Sequence, residues 1–248
     1  MKPEVSIIIP FYSGFTFLER TLVSVVKQTF RNYEIIIIYD NPKNRKDLVL
    51  LKKLKKKYSK IIILYNKSNL GAGYSRNRGI KVAKGKFIAF LDSDDIWKKN
   101  KLSLQINYMK KNNLLITHTS YDIINLNNTL VKKRLAYDLN YSDLKNSCDI
   151  GLSTVIVSKK LLLSTSLFPK LKTKEDYVLW LNIAKKGLVF KSFKKSMTKW
   201  TNRPDSLSSS IYQKIRDAFT VYYKYESYSL IKSIISVIVL SINFLKKR

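Results

Sequence analysis

The first ninety residues alternate short β-branched runs with segments of helical periodicity, and this alternation is the feature that most restricts the fold. The runs are "VSIII", "YEIIII", "KIIIL" and "FIAFL", and the segments between them include "FTFLERTLVSVVKQ" and "DLVLLKKLKKKY". Strands separated by helices of this length predict βαβ units, because parallel strands need a long crossover connection. The runs are apolar throughout, as expected when both faces of a sheet are covered. The sequence therefore predicts an α/β fold around a mostly parallel sheet.

Residues that could bind a ligand follow each of these runs. In open parallel sheets, ligands bind at the carboxyl ends of the strands, so these residues are expected to meet in one pocket. They are Pro10, Phe11 and Tyr12 after the first run, Asp40 after the second, Asn66 after the third, and residues 92 to 95 after the fourth.

Composition narrows the classes of partner. The 248 residues include 47 Lys and Arg against 17 Asp and Glu, a formal charge of +30, which predicts attraction to nucleic acid, anionic lipid or phosphorylated small molecules. The 45% hydrophobic content supports a globular core. A single cysteine and a single histidine exclude a disulfide framework and a His-rich metal site. This cysteine usage fits a reducing, cytoplasmic location. Pro10 interrupts the N-terminal apolar run, so we expect no signal peptide.

Three aspartates in "FIAFLDSDDIW" stand out in so basic a chain. One of them could cap a helix predicted to begin with "IWKKNKLSLQ", but Asp92, Asp94 and Asp95 exceed what one cap needs. The D-x-D spacing brings two carboxylates within reach of one hard divalent cation, which favours oxygen ligands. The pattern predicts a Mg²⁺ or Mn²⁺ site that binds an anionic substrate such as a diphosphate.

The segment "NLGAGYSRNRG" resembles a dinucleotide-binding loop only in part. Gly71 and Gly73 begin a G-x-G, but Arg76 stands where the third glycine belongs, so the fingerprint fails. One interpretation is a turn into a helix whose amides, with Arg76 and Arg78, lie beside a diphosphate. The alternative is that the glycines serve only the turn.

A second acidic pair opens the segment "EDYVLWLNIAKKG", which has helical periodicity and ends at Gly187. Neighbouring carboxylates raise one another's proton affinity, which suits a general base, so Glu175 and Asp176 are candidates for that role. The alternative is that they only compensate the helix dipole.

Residues 211–248 form a predicted C-terminal helical appendage, after a domain that spans 1–210. In "SLIKSIISVIVLSINFL", Lys232, Ser233, Ser236 and Asn243 fall on one narrow stripe at helical spacing. The segment is shorter than the roughly 20 residues of a spanning helix. We predict a helix lying in the plane of an anionic membrane surface. The alternative is a core helix that docks on the domain.

Taken together, these blocks resemble the family 2 inverting glycosyltransferases with the GT-A fold. The resemblance rests on "VSIIIPFYSGFTFLERTLVSVVKQTFRNYEIIIIYDN", "NLGAGYSRNRGIKVAKGKFIAFLDSDDIW", "STVIVSK" and "EDYVLWLNIAKKG", in that order between residues 4 and 210. It is strongest toward bacterial enzymes of O-antigen, capsule or teichuronic-acid-like polysaccharides. It implies a Rossmann-like sheet, a nucleoside-diphosphate sugar donor such as a UDP-sugar, Mg²⁺ or Mn²⁺, and transfer with inversion. The acceptor implied is a lipid-linked glycan at the cytoplasmic face of the cell membrane, and the class is hexosyl- or N-acetylhexosaminyl-transferase.

The resemblance also implies roles for individual residues. It makes Asp176 the catalytic base, with Glu175 and Trp180 on the acceptor side, and Asp94 the principal metal ligand beside Asp92. The nucleotide-sugar site would comprise Pro10, Phe11, Tyr12, Asp40, Asn69, Gly71, Arg76, Asp92, Ser93 and Arg203.

This sequence departs from the family pattern in the predicted nucleoside pocket. Ser13 and Tyr39 replace the usual Asn and Asp, and Asn41-Pro42 replaces a small polar turn. Two alternative functions remain, a basic nucleic-acid-binding protein and an inactive protein that only binds a sugar nucleotide. The acidic cluster would repel nucleic acid, so we expect no such partner.

Overall fold

The computed structural model describes residues 2–204 and 210–246. Within them, nine strands form one sheet in the order β3-β2-β1-β4-β8-β6-β9-β5, with β7 added to β6. The strands are β1 Val5–Phe11, β2 Tyr33–Tyr39, β3 Ile61–Tyr65, β4 Phe87–Phe90, β5 Ile96–Trp97, β6 Ile116–Ile124, β7 Leu130–Arg134, β8 Ile156–Ser158 and β9 Lys191–Thr201.

Helices connect these strands and cover both faces of the sheet. They are α1 Phe15–Val26, α2 Arg45–Lys57, α3 Ala72–Val82, α4 Lys101–Lys111, α5 Tyr141–Asn146, α6 Lys159–Leu163, α7 Glu175–Ala184, α8 Ile211–Thr220 and α9 Leu230–Lys246. A 3₁₀ turn at Leu152–Thr154 precedes β8, and a π-helical turn at Val221–Tyr225 follows α8.

The first four strands form the predicted parallel half of the sheet. β1 lies between β2 and β4, and β2 pairs with β3, all in parallel. Every residue of β2 is buried, as a strand covered on both faces requires. Beyond β4, the sheet continues with antiparallel β8 and β6. The prediction of an α/β fold with a mostly parallel central sheet flanked by helices is confirmed.

Two local predictions were wrong. β1 continues through Pro10 and Phe11, which were expected to follow it, because both pair with β2. No helix begins directly after the acidic cluster either, since Ile96 and Trp97 pair with β9 and α4 begins only at Lys101. The aspartates therefore do not cap a helix.

The core consists of two apolar clusters, and successive residues of β1 contribute alternately to one and to the other. Ile8 belongs to one cluster and Ile7 and Ile9 to the other, as the alternation of side chains along a strand requires. The cluster around Ile8 also contains Tyr222 and Leu240 from the C-terminal segment. The predicted appendage therefore shares a core with the sheet, while the boundary at residue 210 stays a prediction.

The C-terminal helix α9 has 17 residues. Over residues 2–204 and 210–246, the structure contains no helix with the length and apolar character that crossing a membrane demands.

Candidate active site

The acidic turn after β4 is held by side chains of α1. The Thr21 hydroxyl lies 3.0 Å from the Ser93 carbonyl and 2.7 Å from the Asp95 carbonyl, and it donates to them. Arg20 donates to the Asp94 carbonyl over 3.2 Å. These backbone contacts fix the direction in which the turn presents its side chains. Nothing in the local sequence marked Arg20 and Thr21, because their partners lie more than seventy positions away.

Asp95 is a structural residue of this turn. It is buried, and its Oδ1 accepts the Thr201 backbone N–H over 3.0 Å. The Thr201 hydroxyl in turn donates to the Asp94 carbonyl. Burial, with the charges of Asp94 and Asp92, raises the pKa of Asp95 well above its usual value. Asp95 therefore fastens the end of β9 to the turn and does not face a ligand.

Asp92 and Asp94 are partly exposed, with 32% and 23% of their side chains accessible. Burial is the main reason that the pKa of Asp94 rises to about 6, and the charge of Asp92 adds to it. The turn therefore presents two neighbouring carboxylates, each of which also pairs with an arginine, Asp92 with Arg76 and Asp94 with Arg203.

A pair of partly exposed carboxylates suits a divalent cation, which favours oxygen ligands. Among residues 2–204 and 210–246, no group of three or more His, Cys, Asp and Glu side chains is arranged to hold a metal ion. Asp94 and Asp92 would therefore supply only part of a coordination shell. Mg²⁺ in particular is commonly held by one or two carboxylates together with substrate phosphates, so an incomplete protein shell suits it.

Arg76 connects this turn to α7. Its Nη2 lies 2.7 Å from Asp92 and its Nη1 lies 2.6 Å from Glu175. The guanidinium is buried; burial acts to lower its pKa, but the charges of Asp92 and Glu175 prevail and raise it. Arg76 was predicted to lie beside a diphosphate. In this structure both Nη atoms bind carboxylates instead, because the fold brings α7 against α3.

Glu175 and Asp176 lie at the first turn of α7, as predicted. Glu175 is buried, which raises its pKa to about 7 although Arg76 opposes the shift; Asp176 raises it further. Asp176 is half-buried; its Oδ1 accepts the Tyr177 N–H over 2.8 Å, and burial raises its pKa. Raised proton affinity in a partly accessible carboxylate is what a general base requires.

Gly73 allows α7 to approach α3 this closely. A Cβ at this position would lie 3.1 Å from Glu175 Cγ and 3.2 Å from the Pro169 carbonyl oxygen. The second glycine of the G-x-G therefore serves packing against α7 rather than the turn alone. Gly71, by contrast, has φ +86°, a value that favours glycine.

Asp40 fixes the loop that leads into α3. Its carboxylate accepts the Leu70 N–H over 2.9 Å, the Gly71 N–H over 2.7 Å and the Asn66 side-chain amide over 2.6 Å. The side chain is buried. A nucleotide base that bound Asp40, as predicted, would compete with these three donors for its carboxylate. Asn69 lies on the same loop, exposed, and accepts the Gly71 N–H over 3.2 Å.

Three aromatic residues predicted for the site lie in different environments. Phe11 is buried and stacks on Tyr39 at 5.6 Å between ring centroids, so its side chain belongs to the core. Trp180 is also fully buried, with its ring against Phe90 and Phe190. Neither ring presents surface to a ligand, because each fills the space beneath a strand end. Tyr12 is exposed, and Pro10 is half-buried at the end of β1.

Arg203 meets the acidic turn directly. Its Nη1 lies 3.4 Å from Asp94 Oδ2, and its guanidinium stacks over Phe17 at 4.4 Å. Arg203 lies in the segment "TNRPDSLSSS", of which residues 205–209 lie outside the described residues.

The model of a known protein family matches the sequence of this chain. It is described as "Glycosyl transferase family 2", and it covers residues 6–169, which include the acidic turn and the first four strands. The chain belongs to glycosyl transferase family 2. The predicted resemblance is confirmed, and this glycosyltransferase is an enzyme by family.

Curated relatives agree with the family assignment. The chain is 43% identical over 182 residues to the UDP-Glc:alpha-D-GlcNAc-diphosphoundecaprenol beta-1,3-glucosyltransferase WfgD of Escherichia coli, covering 73% of this chain and 70% of WfgD. It is 29% identical to TuaG of Bacillus subtilis (strain 168), whose name associates it with teichuronic acid biosynthesis; that match covers 100% of this chain and 98% of TuaG.

Solved structures identify the fold. A crystal structure of S. aureus TarS in complex with UDP-GlcNAc superposes with a TM-score of 0.70 at 19% identity, covering 94% of this chain and 70% of that chain. The glycosyltransferase has the GT-A fold, as predicted.

Proposed function

We propose that this glycosyltransferase transfers a sugar from a UDP-sugar to a hydroxyl of a growing, lipid-linked cell-surface glycan, with inversion at the anomeric carbon. The proposed setting is the cytoplasmic face of the cell membrane. The name of WfgD supports this proposal, since it specifies UDP-Glc and a diphosphoundecaprenol-linked acceptor for that relative. TuaG supports a surface polysaccharide as the product class.

One observation carries the proposal, namely that Arg76 joins the two acidic pairs. Its guanidinium contacts Asp92 at the end of β4 and Glu175 at the start of α7. Arg76 and Arg203 together bring two positive charges against the four carboxylates Asp92, Asp94, Glu175 and Asp176. The site therefore retains negative charge on both sides, which suits a cation on one and a proton acceptor on the other.

Asp94 and Asp92 are the proposed metal ligands, on the side of the acidic turn. A bound Mg²⁺ or Mn²⁺ supplies Lewis-acid compensation for the charge that develops on the departing diphosphate. Arg203, which is 3.4 Å from Asp94, is the proposed cation that contacts the diphosphate from the other side.

Asp176 is the proposed base. Its carboxylate takes the proton of the acceptor hydroxyl as that oxygen bonds to the anomeric carbon and the diphosphate departs from the opposite face. A single displacement of this kind inverts the anomeric centre. Glu175 shares its charge with Arg76 and holds the first turn of α7 in position.

A thermal-shift panel tests these roles separately. UDP, GDP, CMP and UDP-sugars are each added with and without Mn²⁺. A ligand at 100 times its Kd stabilises the native state by about 2.7 kcal/mol, which a melting curve resolves easily. We expect stabilisation by UDP and UDP-sugars only in the presence of Mn²⁺. Asp94→Ala should abolish that response, whereas Asp176→Asn should retain it and lose turnover by about 10³-fold or more.

Asp138→Ala is the matched control, because Asp138 is a partly exposed acid that pairs with Lys191 away from the site. It should leave both the metal-dependent response and turnover intact. Full activity of Asp176→Asn would show that another group is the base. No response of the parent to any nucleotide, with steeply salt-dependent binding to DNA or RNA, would instead favour the nucleic-acid-binding alternative.

A further inference from the structure

The C-terminal helix α9 docks on the domain with the side that carries most of its polar stripe. Ser233 is fully buried and Leu240 nearly so. Ser236, Val237 and Asn243 lie on the same face of the helix and are partly buried. The Asn243 side chain donates to the Asn146 carbonyl over 2.9 Å. The polar stripe that the sequence shows is therefore turned mainly toward the protein.

The opposite side of α9 is an exposed apolar stripe. At 100° per residue its members fall within an arc of roughly 100°. Each is a large aliphatic side chain, 45% to 71% exposed. This stripe, called the α9 stripe below, consists of Ile231, Ile234, Ile235, Ile238, Ile242 and Leu245. A helix on the surface of a soluble protein normally buries its apolar side and exposes its polar side. An exposed apolar stripe of this kind therefore indicates a binding surface.

Basic and aromatic residues lie on α9 and on the segments that precede it. Lys232 and Lys246 lie on one margin of α9, and the helix contains no acidic residue. Lys224 and Tyr223 are exposed on the π-helical turn before it. The neighbouring helix α8 adds further exposed side chains of the same character, Ile211, Tyr212 and Ile215. An aliphatic face with a cationic margin and nearby tyrosines is the composition of a helix at a bilayer interface.

We propose that the α9 stripe docks this glycosyltransferase on an anionic lipid bilayer, with α9 lying in the plane of the interface. The inference deepens the proposed function by naming the surface that meets a membrane, and it rests on that function only for the choice of leaflet. The aliphatic side chains insert among acyl chains while Lys232 and Lys246 reach anionic headgroups. A second copy of the chain is a poorer partner. Pairing two α9 stripes would bring their lysines together, with no acid on either helix to neutralise them.

Vesicle sedimentation without any donor tests the proposal. The full chain is mixed with phosphatidylcholine vesicles with or without phosphatidylglycerol, at low and high salt. We expect binding to the anionic vesicles, at least about tenfold weaker partitioning to the neutral ones, and weakening by salt. The variant Ile234→Ser/Ile238→Ser/Ile242→Ser should reduce partitioning about 100-fold.

The matched control is Val49→Ser/Leu130→Ser/Leu163→Ser, which removes three aliphatic side chains of similar exposure, 53% to 58%, from elsewhere on the surface. It should sediment with vesicles as the parent does. Both triple variants should keep the parent's melting temperature within a few degrees, because the positions are exposed. Equal sedimentation of the parent and the stripe variant would overturn the proposal. So would a parent dimer, measured by light scattering, that becomes monomeric in the stripe variant and never binds vesicles.

The two proposals fail separately. If Asp94→Ala loses its nucleotide response but still sediments with anionic vesicles, the docking surface and the donor site are independent, as proposed. If the parent binds vesicles but no nucleotide, the proposed function fails and the docking surface stands. If it binds nucleotide with Mn²⁺ but no vesicles, only the docking surface fails.

Discussion

At the scale of single residues, Arg76 shows how strongly this site depends on a buried charge. Its guanidinium is removed from water and is compensated by Asp92 and Glu175. Removing one partner of a buried ion pair leaves an unpaired charge and typically costs about 3–5 kcal/mol. Arg76 is therefore a structural requirement of the site as well as an electrostatic one, and its mutation would not report on donor binding alone.

Lys101 is a second buried charge, away from the site, and it predicts a pH dependence of stability. Its Nζ is fully buried, donates to Gln105 over 2.7 Å and lies over the Trp97 ring. Burial lowers its pKa well below 10.5. Between the lowered value and about 10.5, the unfolded chain carries the extra proton. Stability therefore rises with pH across that window, by at most about 1.4 kcal/mol per pH unit from this group.

The measurement is urea unfolding of the parent and Lys101→Met at several pH values between 6 and about 9.5. The free energy of unfolding of the parent should increase relative to that of the variant as the pH rises. A constant difference between the two over the whole window would mean that Lys101 keeps its proton in the folded state.

At the scale of elements, α8 supports the start of α7. Asp217 on α8 is buried and accepts both the N–H and the hydroxyl of Thr173, each over 2.8 Å. Thr173 lies just before Lys174, whose φ of +66° marks a strained entry into α7. Tyr177 on α7 also hydrogen-bonds Tyr222, which follows α8, over 3.0 Å. These contacts join the C-terminal helices to the segment that bears Asp176.

Asp217 is therefore expected to act as a positioning residue. Asp217→Ala should lower kcat about tenfold, because the first turn of α7 loses its support, while the metal-dependent response to UDP should stay unchanged. Asp217→Asn keeps an oxygen acceptor for Thr173 and should restore most of kcat. Steady-state kinetics and the thermal-shift assay together measure this. Equal losses of kcat in the two variants would contradict the positioning role.

At the scale of the whole molecule, the C-terminal segment has two parts with different roles. The part up to residue 229 contributes Tyr222, which is fully buried, and Glu226, which pairs with Lys185 over 2.7 Å and accepts from Tyr141. α9 contributes Leu240 to the core and the exposed stripe to solvent.

Two truncations separate these roles. A chain that ends at residue 229 should lose vesicle binding and remain folded. A chain that ends at residue 220 should be less stable than that by at least about 3 kcal/mol, because it also lacks the buried Tyr222 and its hydrogen bonds. Chemical denaturation of the two chains and of the parent measures the difference. Equal stability of the two truncated chains would show that Tyr222 adds nothing to the core.

The sequence by itself determined the strands of the parallel half, the turn that carries Asp92 and Asp94, and the helix that begins with Glu175 and Asp176. These features follow from local periodicity and from the rule that ligands meet strand ends, so neighbouring residues suffice to predict them. The family followed from the same blocks.

Only the tertiary structure decided which groups meet across the chain. Arg76 binds Glu175, ninety-nine positions away, because α7 packs on α3, and Asp40 at the end of β2 holds the loop before α3 because the sheet brings the two together. Burial of Phe11 and Trp180 was equally hidden, since an aromatic residue near a strand end has the same local pattern in a core or in a pocket. The sequence also showed two unlike sides of α9 but not which one faces the protein. Docking left its aliphatic side in solvent, because amphipathicity defines the faces of a helix while the neighbouring elements decide their direction.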